Sequence, residues 1–594
     1  MTKKEVIISD FKKSVKEKEY LSDDCTKDFW ETVSYETKNI SGNLLIASPE
    51  TFPQPVTIIP NLQGWHKIYV CMHDTGGGRM ANHVHLQLTD DEFSSCISPL
   101  NVQSHIQWNH FEQVEEIYWK SANMTNQDIT ISKVDFGMPF TASVCWIRFV
   151  EMTPEEVDHH LEQLQDTASK TMYAHMDGDF SMFDMPQTPR DYCRALFAMK
   201  DSDVKIVAQE ITNDFHDLDS MDLEKFVGRR AWDRTRAKSW LQFYKWKDEI
   251  YKEELSFAHE NNMELFAALR MGLSDFVYPM EYPYFKEKFV EEHPEFMCVT
   301  RDGRKTEFLS YAYKEVREYV IQNLKKACEH GFDGVSLIFT RGIHVLFEEP
   351  VVKRFAEKYG QSLDCKRLPM TDRRIHGIWC DIMTEFMQEL RKELDTYSAQ
   401  NHTARIKIYA TTLYTVPEGQ CNGFDIERWA REGLIDGIVQ SKMTLWEDIE
   451  DVLGEDGLVD IERYSQKSAT QYVVRRSHGN EINRIVEGLK EYRRIADEYN
   501  LKLYSEIQWE GTVSPVEFVK ATKEIYKNGG QHIALWDCYP HRVMNAAEWQ
   551  CTSNFGGAEK VQKLSEEIYE YHKVHKILSY NGKDMRYYHP GWKG

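Results

Sequence analysis

Residues Phe332 to Gly342, FDGVSLIFTRG, decide how this chain is read. From Val335 to Phe339 the run is apolar except for Ser336, with no polar alternation, which fits a strand covered on both faces in a parallel sheet. Before it, Val316, Tyr319, Val320, Leu324, Ala327 and Cys328 recur at helical spacing, and His330-Gly331 closes the pattern as a helix stop. The unit is a helix, a turn and a buried strand. Arg341 and Gly342 stand where such a strand delivers its loop.

The same unit recurs on both sides. Thr153-Pro154-Glu155-Glu156 reads as a helix start, with a cap, a proline and an acidic first turn, and it places a domain boundary between 150 and 151. Beyond it, strands are expected at Thr171–His175, Val204–Gln209, Met263–Leu269, the opening stretch, Ile406–Ala410, Gly437–Gln440, Leu501–Ile507 and His532–Trp536. Helical patterns at Arg190–Met199, Ser239–Asn261, Tyr284–His293, Ile375–Tyr397, Ile426–Glu432 and Ile482–Tyr499 fall between them. Ser514-Pro515-Val516-Glu517 is a capping box whose helix stops at Gly529-Gly530. Eight alternations predict a (β/α)8 barrel with insertions over 151–594. An open doubly wound sheet is the alternative, but no Gly-rich fingerprint follows the first strand. The aromatic segment Tyr580–Gly594 is expected to pack on the barrel as a tail.

Residues 1–150 differ in character. Short strands, among them Asn43–Ala47, Trp65–Met72, His83–Leu88 and Val144–Val150, alternate with Gly, Asn, Asp and Pro clusters and predict a jelly-roll-like β-sandwich. The loop Gly76-Gly77-Gly78 lacks a phosphate-binding pattern. His73, His83 and His85 have the spacing to share a strand face, yet no third acidic or cysteine ligand stands near them. They read as exposed strand histidines, and no metal or cofactor is expected.

The chain has 594 residues, enough for more than one core, and 72 Lys+Arg against 95 Asp+Glu give a formal charge of −23. That charge argues against general nucleic-acid or anionic-membrane binding. No membrane-spanning run and no signal-like apolar segment is found, so the cytoplasm is the expected location. Twelve cysteines without CxxC spacing read as reduced thiols. The sequence is compatible with a homo-oligomer.

In such a barrel the chemistry sits at the C-terminal strand ends. Those ends carry Asp177, Glu210, Arg270, Arg341, Tyr409, Glu506, Gln508, Trp509, Trp536, Asp537 and His541. Carboxyls, arginines and aromatics together suit a carbohydrate substrate: tryptophan faces its CH surfaces, and Asp, Arg and Gln forks its hydroxyls. Glycosidic cleavage needs one carboxyl that keeps a proton and one that attacks or activates water. Glu506 leads the candidates, with Glu349, Glu210 and Asp537 as partners; Arg341, Arg270, Asp177, Tyr409, Gln508, Trp509, Trp536 and His541 would bind substrate. The plainer reading makes the acids rim salt bridges, the tryptophans core, and Asp177-Gly178-Asp179 a turn. No GxSxG or HExxH motif occurs.

The block Leu309–Gly342, LSYAYKEVREYVIQNLKKACEHGFDGVSLIFTRG, resembles the family-10-like glycosylhydrolase group of (β/α)8 barrel proteins. HPEFMCVTRDGR upstream and the Glu506 strand add looser support. Asp333, Gly334 and Arg341 match the family's DG-x-x-LDF-x-R pattern, but Ile338 stands where that pattern has an acid. The resemblance implies a glycosidase whose missing carboxyl is supplied elsewhere, with Glu348 and Glu349 nearest. The leading expectation is therefore a glycoside hydrolase acting on small oligosaccharides or glycosides. Two others stand beside it: a non-catalytic carbohydrate-binding barrel, and a metal-dependent lyase or isomerase using Asp177, Glu210 and Asp537.

Overall fold

The computed structural model describes residues 4–24, 28–73, 82–99, 113–134, 140–176, 186–211, 231–272, 288–340, 344–368, 372–441, 481–507, 515–536, 538, 546–581 and 585. Eight parallel strands close into a barrel: β1 (Met172–Met176), β2 (Val204–Glu210), β3 (Glu264–Arg270), β4 (Gly334–Ile338), β5 (Lys407–Thr412), β6 (Gly437–Gln440), β7 (Lys502–Ile507) and β8 (His532–Leu535). Closure is made by Tyr173 and Ala174 of β1 pairing with Ala534 and Leu535 of β8, which removes the open-sheet alternative. Each strand lies where the apolar runs predicted it, within two residues. The opening stretch supplies β4, and all five of that strand's residues are buried.

The helices follow from the same patterning. Helix Lys314–Glu329 buries Val316, Val320, Leu324, Ala327 and Cys328 of the predicted stripe, while Tyr319 is half-buried at its edge. Helix Pro154–Gln165 opens with a complete capping box between Thr153 and Glu156. Helix Ala231–Glu260 starts eight residues before the expected Ser239.

Alternation along the strands fills the barrel in layers. The rings of Tyr173, Phe266, Tyr409 and Tyr504, one from each odd-numbered strand, meet at centroid distances of 5.0–6.4 Å. Room for them comes from glycines in the neighbouring strands. A Cβ on Gly437 would stand 2.8 Å from the Tyr409 ring, and one on Gly334 would stand 2.7 Å from that of Phe266.

Residues 5–151 build two antiparallel sheets over one core, in which Leu45, Val70 and Ile147 of the larger sheet meet Ile58, Leu86 and Ile131 of the smaller. The smaller sheet runs Val56–Ile58, Ile129–Ser132, Val84–Leu88, Ser95–Ile97. The larger is completed by the far end of the chain. Strand His572–Ser579 pairs with Gln113–Asn123 on one side and Trp30–Thr37 on the other, bridging two halves of the sheet. Tyr580 and Met585 pack with Val33, Tyr35 and Trp146 of that sheet, so the described part of the tail docks there and not on the barrel. Its sequence, HKVHKILS, hides this role, because only Ile577 of the eight residues is buried.

The three strand histidines are buried, not exposed. His73, His83 and His85 are at most 4% exposed, His83 stacks on Phe140 at 3.8 Å, and a ring nitrogen of His85 lies 3.2 Å from Ser94 Oγ. Each imidazole is amphipathic, and other rings lie against it: His73 meets Tyr580 edge-on at 5.3 Å, and His83 and His85 meet at 6.0 Å. Among the described residues no helix is long and apolar enough to cross a membrane.

Candidate active site at the barrel mouth

Two residues above the aromatic layer, the odd strands present His175, Ala268, Thr411 and Glu506 inward. The even strands contribute Glu210, Ile338 and Trp536 beside them, each two residues beyond an inward-facing Ala208, Ser336 or Ala534. Period-2 geometry thus converts a floor of rings into a mouth of polar groups over one further turn of the pleat.

The contacts are specific. Arg270 Nε donates to the Glu210 carboxylate at 2.8 and 2.9 Å, and both residues are buried. His175 Nε2 lies 3.8 Å from Glu210 Oε2, and its ring stacks on the Trp536 indole at 3.9 Å with an interplanar angle of 10°. The backbone of His175 is fixed as well, its carbonyl accepting from Cys538 N at 2.7 Å. Glu506 is 2% exposed, on β7 next to the strand that leads to Trp536. Below it, the Tyr173 hydroxyl shares a 2.6 Å hydrogen bond with Ser336 Oγ. Burial raises the Tyr173 phenol well above its ordinary pKa, and the Glu506 charge adds to that rise.

The residues proposed from sequence fall into three groups. Glu210, Arg270, Glu506 and Trp536 stand in the mouth. Tyr409 stands a layer lower, its ring among Tyr173, Phe266 and Tyr504. Glu349 is exposed in the first turn of helix Glu349–Tyr359. Its neighbour Glu348 is fully buried, accepting from Val299 N at 2.9 Å and Leu346 N at 3.1 Å. Burial raises the Glu348 carboxyl above its ordinary pKa. Asp177, Arg341, Gln508, Trp509, Asp537 and His541 lie outside the described residues.

Strand-end position alone misses a distinction that the fold makes. Gln440 ends β6, but its amide donates to the carbonyls of Tyr414 and Ile485 at 2.8 Å and accepts from Ser505 Oγ at 3.1 Å, clamping helix Glu481–Tyr499 to the barrel. His175, in contrast, joins the carboxylates. Its signal in the sequence was parity: it lies two residues past Tyr173, on the inward face.

Chemically, the mouth holds two buried carboxyls in unlike settings. A guanidinium against Glu210 favours its ionised form. Glu506 stands above the aromatic layer and beside the strand that leads to Trp536.

No family model matches the chain, and no curated protein matches it. Solved structures similar in chain course include the PgaB (BpsB) glycoside hydrolase domain from Bordetella bronchiseptica. It is 11% identical, with a TM-score of 0.40, over 65% of this chain and 98% of that one. The catalytic domain of a beta-amylase from Paenibacillus polymyxa is 10% identical, with a TM-score of 0.39, over 66% and 98%. The alpha-galactosidase TtGalA from Thermus thermophilus is 8% identical, with a TM-score of 0.32, over 91% of this chain and 94% of that one.

Proposed function

We propose that the barrel mouth is the active site of a glycoside hydrolase for small oligosaccharides or glycosides. The observation that carries the reading is a pair of buried glutamates in unlike settings at one barrel end, Glu210 held by Arg270 and Glu506 above an aromatic floor. In this reading Glu506 keeps its proton and delivers it to the leaving oxygen. Glu210, ionised beside Arg270, attacks the anomeric carbon or activates water from the other side. Trp536 offers an indole against the apolar face of a sugar, and His175, stacked on that ring, orients the Glu210 carboxylate. The expected setting is the cytoplasm.

A panel of aryl glycosides tests this. At least one member is expected to release its phenol with the wild type, and Glu506→Gln is expected to abolish that release. Undiminished turnover in Glu506→Gln would take Glu506 out of the mechanism.

Ile338 favours a second reading, a barrel that binds carbohydrate without cleaving it, because an apolar side chain faces inward at the level of the acids. Release of product from any glycoside excludes that reading. The lyase or isomerase reading draws less support, since Arg270 already occupies the Glu210 oxygens where a divalent cation would sit.

A further inference from the structure

Cys71 and Cys145 meet across one rung of the larger N-terminal sheet. Cys145 is the single residue between strands Ala142–Val144 and Trp146–Glu151. Its N–H donates to the Cys71 carbonyl at 2.7 Å, and the next residue, Trp146, is the register partner of Cys71 on strand Trp65–His73. Two residues thus oppose one, the arrangement of a β-bulge. A bulge interrupts the alternation of faces. Val144 and Ile147, like Val70 and Met72, belong to the core between the two sheets, whereas Cys145 and Trp146 lie together with Cys71 in the cluster on the other face.

The pair is fixed from several sides. The Tyr35 hydroxyl donates to the Cys145 carbonyl at 2.8 Å, and its ring stacks on Trp146 at 6.1 Å. Val33, Ile46 and Ile577 share the cluster, and both cysteines are fully buried. Residues opposed across a hydrogen-bonded rung stand about 5.5 Å apart at Cα, and a disulfide spans about 4.4–6.8 Å. With both side chains on one face, a bridge fits without separating the strands.

We propose that Cys71 and Cys145 are a redox-sensitive pair, joined by a disulfide when the chain folds in the presence of a small-molecule disulfide and left as two thiols in a reducing compartment. The thiolate of one cysteine attacks the external disulfide and expels one thiol, leaving a mixed disulfide. The second cysteine, losing its proton, displaces the other thiol and closes the bridge. Two electrons and two protons pass from the protein to the reagent, which ends as two thiols.

Timing follows from burial. Enclosure raises the Cys71 thiol well above its ordinary pKa, and the Cys145 thiol beside it adds to the rise. The folded pair is therefore slow to react, and exchange belongs to the stage at which the strands pair and to transient opening of the sheet. Strands Val84–Leu88, Ser95–Ile97, Gln113–Asn123 and Ile129–Ser132 lie between the two cysteines in the chain. A bridge that closes so long a loop restricts the unfolded chain and stabilises the β-domain.

The test is cell-free synthesis of the full chain in a buffer of oxidised and reduced glutathione, beside synthesis in dithiothreitol. Soluble protein is alkylated and digested with trypsin without reductant. The glutathione sample is expected to yield Ile68–Arg79 joined to Val134–Arg148, and the dithiothreitol sample the same two peptides alkylated. The bridged wild type should melt above the reduced one, whereas Cys145→Ser should melt alike from both buffers. Alkylated Cys71 and Cys145 in the glutathione sample, or their joining to other cysteines, overturns the pairing. A bridged chain that melts no higher than the reduced one overturns its stabilising role. As a second measurement, reduced protein is held in glutathione disulfide just below its melting point, with modification of the exposed Cys421 reporting that the reagent acts. The joined peptides should accumulate there, and Cys421 modification without them overturns the proposal.

Discussion

Two layers of the barrel, two residues apart on the same four strands, are built to different ends. The lower layer, Tyr173, Phe266, Tyr409 and Tyr504, fills the interior with rings. The upper layer sets His175, Thr411 and Glu506 around Ala268, with the Glu210–Arg270 pair and Trp536 beside them. Burying aromatic surface stabilises the fold, whereas burying a carboxyl opposes it unless a partner offsets the desolvation. A barrel could be closed with apolar residues in both layers. The upper one carries acids instead, which the proposed active site would account for.

The largest effect separates the layers by activity. Glu506→Gln should lower turnover of a responsive glycoside by about 10²–10⁴-fold, as loss of one proton-transfer group does. The melting temperature should hold, because the amide replaces a carboxyl of the same size that carries no charge in the proposed mechanism. A fall in melting temperature with activity intact would invert the roles assigned here. Tyr409→Ala is the mirror experiment: removal of a central ring should cost about 3–5 kcal/mol in chemical denaturation. A loss below about 1 kcal/mol would mean that the floor is not a packed layer.

Gly437→Ala tests the same floor from the other side. Its Cβ would stand 2.8 Å from the Tyr409 ring, and overpacking of this kind costs about 1–3 kcal/mol. Combining it with Tyr409→Ala should relieve most of that cost, and an unchanged penalty in the double variant would dismiss the steric account. The smallest effect belongs to the junction of the layers. Tyr173→Phe removes the hydroxyl bonded to Ser336 Oγ, and should cost about 1 kcal/mol while leaving the substrate profile as it is.

Much of the barrel was legible before any coordinates. Val335–Phe339 and its seven counterparts are apolar runs bounded by turn residues, and each became a barrel strand. The capping signals at Thr153 and the stripe on Lys314–Glu329 marked helices where they stand. Strand His572–Ser579 was not legible, because seven of its eight residues are not buried, and a strand that adds to a sheet mainly by backbone bonding leaves little hydrophobic trace. The site was legible only as a set of strand ends. Glu210, Arg270, Glu506 and Trp536 came together in the mouth, whereas Tyr409 took a place in the floor and Glu349 one on the surface.

The sequence by itself determined the local elements: eight buried strands, the helices between them, and the inward or outward parity of each side chain, since hydrophobic period is a property of neighbouring residues. Tertiary structure decided which inward positions share a layer, that Arg270 meets Glu210 while Gln440 is spent on a helix, and that the chain's last strand returns to its first domain. Those outcomes depend on closure and stagger, which join residues hundreds of positions apart, and no local pattern encodes that distance.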